Sequence, residues 1–108
     1  MGRLRQSKVA DELRKMAATF LERESNHMSL ITVTRVAITP NFKNATVYIT
    51  VLPRDKEEGA LNFAKRKRND LRTYVKKNSH LKTLPFFDVE IDTGELNRQK
   101  IDDLLQSS

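Results

Sequence analysis

Two runs of strict apolar–polar alternation constrain this chain more than any other feature. From residue 86 to 92, Phe87, Val89 and Ile91 alternate with Asp88, Glu90 and Asp92; from 45 to 52, Ala45, Val47, Ile49 and Val51 alternate with Thr46, Tyr48 and Thr50. A period of two puts each apolar set on one face of a strand, so both segments are expected to lie in a sheet with one buried face. A third run, 30–39, is rich in β-branched residues (Ile31, Thr32, Val33, Thr34, Val36, Ile38) and stops at Pro40-Asn41, as a strand running into a turn would. The connection 40–44 is short enough to make the first two strands an antiparallel hairpin, and Pro53 ends the second. The acidic side of 86–92 has the pattern of the solvent face of an antiparallel edge strand.

The remaining segments carry helical periodicity, which supplies the cover a one-sided sheet requires. Val9, Leu13, Met16, Phe20 and Leu21 recur at three- and four-residue steps over 7–24, with Ser7 as the expected N-cap and Ser25-Asn26 as the stop. Asp55 and Glu58 have capping-box spacing and open a second helical region. Its apolar face, Leu61, Ala64, Leu71 and Val75, lapses where Lys67, Arg68 and Asn69 occupy a whole turn. A kink or break is expected at 67–69, the alternative being a continuous helix whose long basic side chains snorkel. Leu96, Ile101, Leu104 and Leu105 predict a short terminal helix over 95–105. The 108 residues, with no linker and no internal repeat, suit one domain spanning 1–108.

Composition narrows the function. There is no cysteine, hence no disulfide framework and no thiol nucleophile, and neither a signal-peptide pattern nor a membrane-length apolar run is present, which points to the cytoplasm. The two histidines, His27 and His80, fall in separate expected loops without metal-ligand spacing, and none of the three glycines belongs to a phosphate-cradling run. Asp88, Glu90 and Asp92 share one strand face and in principle could hold Mg²⁺, which leaves a small metal-dependent enzyme as a rival; a solvated strand face looks the same. With no nucleophile–base pair in view, the chain is expected not to be an enzyme, to need no cofactor and to take no small-molecule substrate.

The formal charge of +6 is unevenly distributed. From 64 to 82 there are eight basic residues against one acid, Asp70; from 83 to 108 there are six acids against two bases. Such segregation favours a polyanionic partner over ordinary surface decoration, and the basic stretch has too few large apolar anchors for a membrane surface. Candidate stacking aromatics are few: Phe42, Phe63 and Tyr74. Recognition is therefore expected to be of a shaped RNA, read mostly through its backbone. The contacting residues would be Arg66, Lys67, Arg68, Arg72, Lys76 and Lys77, with Asn69 setting the backbone shape at the kink, and Arg3, Arg5 and Lys8 as an extension of the patch.

The order of elements, helix–strand–strand–helix–kink–helix–strand–helix, matches an α+β type II KH-like domain, a three-stranded sheet packed against helices. The details resemble the bacterial ribosome-binding factor A family over residues 5–105. The carrying stretches are Arg5 with Val9-Ala10, ITVTRVAITPNFKNATVYITVL from Ile31, DLRTYVKKNSHLKTLPFFDVEID from Asp70, and KIDDLL from Lys100. The family pattern has TVTxV in the first strand, AxVYV in the second, IR ahead of LxxxP, and IDxLL near the end; no one of these is specific, but all four occur here in order, with conservative exchanges. The resemblance implies an assembly factor that acts as a monomer on the immature small (30S) ribosomal subunit and assists late maturation of its 16S RNA near the 5′-terminal helix. A general KH-type or integral ribosomal RNA-binding protein is the alternative. It also implies that the nucleotide-clamping GxxG loop is replaced by a kinked junction marked Ala-x-Gly, where this chain has Lys67-Arg68-Asn69. Asn tolerates left-handed backbone geometry better than other non-glycine residues, so Asn69 is expected to make the kink. The acidic-Pro turn expected after the first helix is replaced by Ser25-Asn26.

Overall fold

The computed structural model describes residues 2–94, and side chains from residue 6 onward. The terminal helix expected at 95–105 and the side chains of Arg3 and Arg5 lie outside the described residues. Helix α1 runs Gly2–Glu24, strand β1 Leu30–Ile38, strand β2 Asn44–Leu52, helix α2 Glu57–Arg66, helix α3 Arg68–Asn78 and strand β3 Phe86–Ile91. The sheet order is β1-β2-β3, with β2 central.

The apolar stripe of α1 packs as its spacing requires: Leu13, Ala17, Phe20 and Leu21 are buried and Val9 and Met16 flank them. The helix starts well before Ser7, so that serine is not a cap. It stops at Glu24, beyond which Ser25 Oγ accepts the His27 N–H and Asn26 Oδ1 accepts the Met28 N–H, local bonds that compete with helix continuation. His27 takes φ 62° in this reversal.

β1 and β2 form the expected antiparallel hairpin, with one irregularity. Val33 pairs with Ile49 and Arg35 with Tyr48, leaving Thr34 as the extra residue of a bulge. The bulge explains why the two buried residues of β1, Val33 and Val36, are three apart rather than two or four. In β2 the alternation is clean: Ala45, Val47, Ile49 and Val51 are buried.

β3 corrects the expectation of an antiparallel edge strand. It lies parallel to β2, with Asn44 opposite Phe86 and Ile49 opposite Ile91. The chain leaves the end of β2 and returns to its beginning through α2 and α3, and a crossover of that length joins parallel strands. These helices cover the same apolar face as α1, so that Ala60, Ala64, Leu71 and Val75 meet Val47, Ile49, Phe87 and Val89 in one buried cluster.

The acidic side of β3 also departs from expectation. Asp88 and Glu90 lie on the uncovered side, but Asp92, just past the strand, is 3% exposed. Its carboxylate accepts the Thr34 hydroxyl and faces Arg35 Nε at 3.7 Å, while its N–H donates to the Ile49 carbonyl at 2.8 Å. A buried carboxylate needs such partners to remain charged. Asp88, Glu90 and Asp92 therefore do not form one solvated face, and among the described residues no group of three or more His, Cys, Asp or Glu gathers to hold a metal ion. No helix of the described residues is long and apolar enough to cross a membrane.

Candidate nucleic-acid interface

The expected break between the two helices is present, and it falls on one residue. Lys67 sits at φ −95°, ψ 6°, between the last residue of α2 and the first of α3. This is the sparsely populated bridge region, open to any L-residue, and no left-handed residue is needed there. The Lys67 N–H donates to the Ala64 carbonyl at 3.1 Å, tightening the end of α2, and the Lys67 carbonyl accepts the Leu71 N–H at 2.9 Å, starting α3. Asn69 is thus inside α3, and the positive-φ residues of the described chain are His27 and Phe42. The role expected for Asn69 is corrected: the junction is shaped by Lys67 and by side chains reaching to other elements.

Arg68 is the main such brace. Its Nε donates to the Lys65 carbonyl at 2.9 Å, adding a side-chain bond at the end of α2, and its Nη1 meets Asp88 Oδ1 at 3.2 Å. Lys67 lies 3.9 Å from both Glu24 and Asp70, joining the junction to the end of α1. Arg72, one turn further along α3, donates to the Pro85 carbonyl at 3.3 Å and the Leu84 carbonyl at 3.5 Å, and its guanidinium lies 4.7 Å from the centre of the Phe86 ring. Three of the six expected contact cations therefore have structural partners. Arg66, Lys76 and Lys77 form no ion pair among the described residues.

These residues border a continuous groove. One concavity of about 410 Å³ is lined by Lys65, Arg66, Arg68, Asn69, Arg72 and Phe86. A smaller one of about 240 Å³ continues from Asn69 and Arg72 to Thr73, Lys76 and Leu84. Five of the seven residues singled out from sequence line this groove, whereas Lys67 and Lys77 do not. Lys8 is exposed on α1 and lines neither concavity.

The aromatic candidates fare differently. Tyr74 is consumed by helix packing, its ring 5.6 Å from that of Phe20. Phe42 sits in the hairpin turn at φ 60°. The aromatic that does reach the groove is Phe86, 65% exposed, which the sequence assigned only to the start of a strand. Its signal was available: Phe86 and Phe87 are adjacent on a strand, so only one of them can face the core.

Chemically, the groove offers phosphates three lysine or arginine side chains that have no ionic partner among the described residues (Lys65, Arg66 and Lys76), the Arg72 guanidinium held on one face of Phe86, and exposed aromatic surface on which a base could stack.

Comparison with known proteins agrees with this architecture. The family model for ribosome-binding factor A matches residues 5–105. Ribosome-binding factor A of Thermobifida fusca is 33% identical over 104 residues, covering 94% of this chain and 69% of that protein. Among solved structures, ribosome-binding factor A from Thermus thermophilus is similar with a TM-score of 0.72 at 20% identity, over 80% of this chain and 93% of that one. A homology model of the Thermus thermophilus factor, fitted into a cryo-EM map of its 30S complex, is similar with a TM-score of 0.66 at 21% identity, over 75% of this chain and 88% of that one. With the three-stranded sheet, the broken helix pair and the matched span taken together, the chain belongs to the ribosome-binding factor A family.

Proposed function

We propose that this chain is a non-catalytic, monomeric assembly factor that binds the immature 30S subunit and assists late maturation of its 16S RNA, through the groove between α3 and the start of β3. The observation that carries the reading is the groove itself: Arg66 and Lys76, towards its two ends, form no ion pair among the described residues, and Phe86 opens into the concavity that Arg66 lines. Paired cations hold a surface in shape, and unpaired ones are available to phosphates, where counterion release supplies affinity without base readout. Family membership supports the ribosomal target, and the related Thermus factor has been fitted into a 30S complex.

Ultraviolet crosslinking to purified small-subunit precursors, followed by mapping of the RNA, tests this. Crosslinks from Phe86 and the α3 face to small-subunit RNA, in precursors and not in translating ribosomes, are the expected result. Equal crosslinking to mature ribosomes would indicate an integral ribosomal protein instead, and crosslinks confined to another face would move the site.

A further inference from the structure

Arg66 borders a second concavity, of about 300 Å³, between the end of α1 and α2. Its apolar walls are Met28, Ile31, Ala60 and Phe63, and Gly59 opens one side. Two features of this cleft are unexplained by the fold. Gly59 is the third residue of α2, where glycine is less favourable than alanine, yet a Cβ there would meet nothing within 4 Å and its φ is not positive. Nothing in the described structure requires a glycine, and the space beside it stays open. Met28 is 68% exposed although its backbone is pinned, its N–H donating to Asn26 Oδ1 at 3.0 Å. A polarisable, adaptable side chain is thus held out beside Phe63 with no partner among the described residues to cover it.

We propose that this cleft receives one unstacked nucleobase of the same RNA whose phosphates lie along the groove, with Arg66 holding the intervening phosphate. The proposal rests on the RNA-binding reading above. Continuity is the first reason, because Arg66 lines both concavities. The second is the chemistry of the rim. Ser25, Asn26 and Asp55 border the cleft alongside its apolar walls. Ser25 Oγ and Asn26 Oδ1 already accept backbone N–H groups of the turn, but the Ser25 hydroxyl hydrogen, the Asn26 amide and the Asp55 carboxylate keep bonding capacity that an aliphatic side chain cannot use, whereas a base presents a flat apolar face and an edge of donors and acceptors. Asp55 and Lys56 both border the cleft, and the Asp55 carboxylate can accept from an exocyclic amino group, so adenine or cytosine is favoured over uracil. The missing Cβ of Gly59 lets the base approach the helix backbone.

The test uses the full chain with methyl-labelled Met, Ile and Ala, titrated with the hexanucleotides r(A)6, r(C)6 and r(U)6 and separately with N-acetyl-leucinamide. The Met28, Ile31 and Ala60 methyl resonances should shift with r(A)6 or r(C)6. Gly59→Leu, which fills the cleft, should weaken binding about tenfold, equivalent to about 1.4 kcal/mol, with the salt dependence unchanged because the phosphate contacts remain. Gly59→Ala should raise Tm, and Met28→Ala, in a loop where misfolding is not at issue, should weaken binding severalfold. If Gly59→Leu and Met28→Ala bind like the parent with silent cleft methyls and a steep salt dependence, the cleft proposal is overturned while the groove reading stands. If the parent binds none of the oligonucleotides or small-subunit RNA, both fall. Methyl shifts with N-acetyl-leucinamide alone would assign the cleft to a protein side chain and overturn the proposal.

Discussion

The chain breaks its helical course in two places that border the second cleft, and it does so differently in each. Between α1 and β1 the turn is local: Ser25 and Asn26 bond to backbone groups two residues on, and His27 accepts a left-handed φ of 62°. Between α2 and α3 the backbone never enters the left-handed region, and the break is braced from a distance, by Arg68 to Asp88, Lys67 to Glu24 and Arg72 to the carbonyls of Leu84 and Pro85. A local turn can be altered with consequences confined to itself. A braced one transmits its changes to the strand and helix it leans on, and here that is the strand carrying Phe86.

The contrast between braced and unbraced residues orders the expected effects. The largest is on binding: Arg66→Glu with Lys76→Glu removes two of the groove cations that have no ionic partner among the described residues. The slope of log K for small-subunit RNA against log salt should become shallower by about 1.4 to 1.8 for two lost phosphate contacts, while Tm barely moves. A parallel drop in Tm would show that these cations are structural after all.

Arg72→Ala should act on both properties. It removes two bonds to backbone carbonyls and the contact with Phe86, so a loss of about 1 to 2 kcal/mol is expected in denaturant unfolding, together with weaker RNA binding. Unchanged stability would mean that the loop at 84–86 is positioned without it.

Asp88 and Glu90 look interchangeable in the sequence and are not in the structure. Asp88→Ala should cost up to about 1 kcal/mol, since it unties Arg68 and removes an acceptor for the Val89 N–H at 2.8 Å, whereas Glu90→Ala, on the same exposed side, should be nearly silent. Equal effects from the two single variants would contradict the bracing account.

The smallest effects separate the two breaks directly. His27→Gly should stabilise slightly, by a few tenths to about 1 kcal/mol, by relieving a positive φ, and Asn69→Val should change Tm little, because Asn69 is an exposed helical residue. A Val substitution that melts the junction would restore Asn69 as the kink-forming residue.

Much of this was legible in advance, for physical reasons that also mark where legibility ends. Period-two alternation located β2 and β3 to within a residue, and helical spacing located the buried face of α1, because in both cases one side of an element meets the core and the other meets water. The lapse at 67–69 showed the break for the same reason. Its mechanism was not legible, since a backbone in the bridge region places no demand on residue type, and the bracing partners Asp88, Glu24 and Pro85 are distant in sequence. Asp92 misled because it continues the alternation of Asp88 and Glu90 while the strand itself stops at Ile91, so its carboxylate goes to Thr34 instead of solvent. The expected capping box failed too: a 3-10 turn spans Arg54–Lys56, and α2 starts at Glu57 without a side-chain cap. The groove was legible in its charges and not in Phe86, whose exposure follows from which of two adjacent phenylalanines the core admits.

The parallel pairing of β3 with β2 bears on how the molecule comes into being. The β1–β2 hairpin joins neighbours across a short turn, but Asn44 and Phe86 meet only after the intervening helices have been laid down. Closing so long a loop is entropically unfavourable until the contacts it brings are in place, so non-local pairings of this kind are slow to form. The groove is bounded by α3 on one side and Phe86 on the other, and it exists only when β3 has docked. A nascent or partly unfolded chain can therefore hold its hairpin and still have no surface with which to grip RNA. Pulsed hydrogen exchange should find the amides of β3 protected after those of β1 and β2, with RNA-binding competence arriving together with β3.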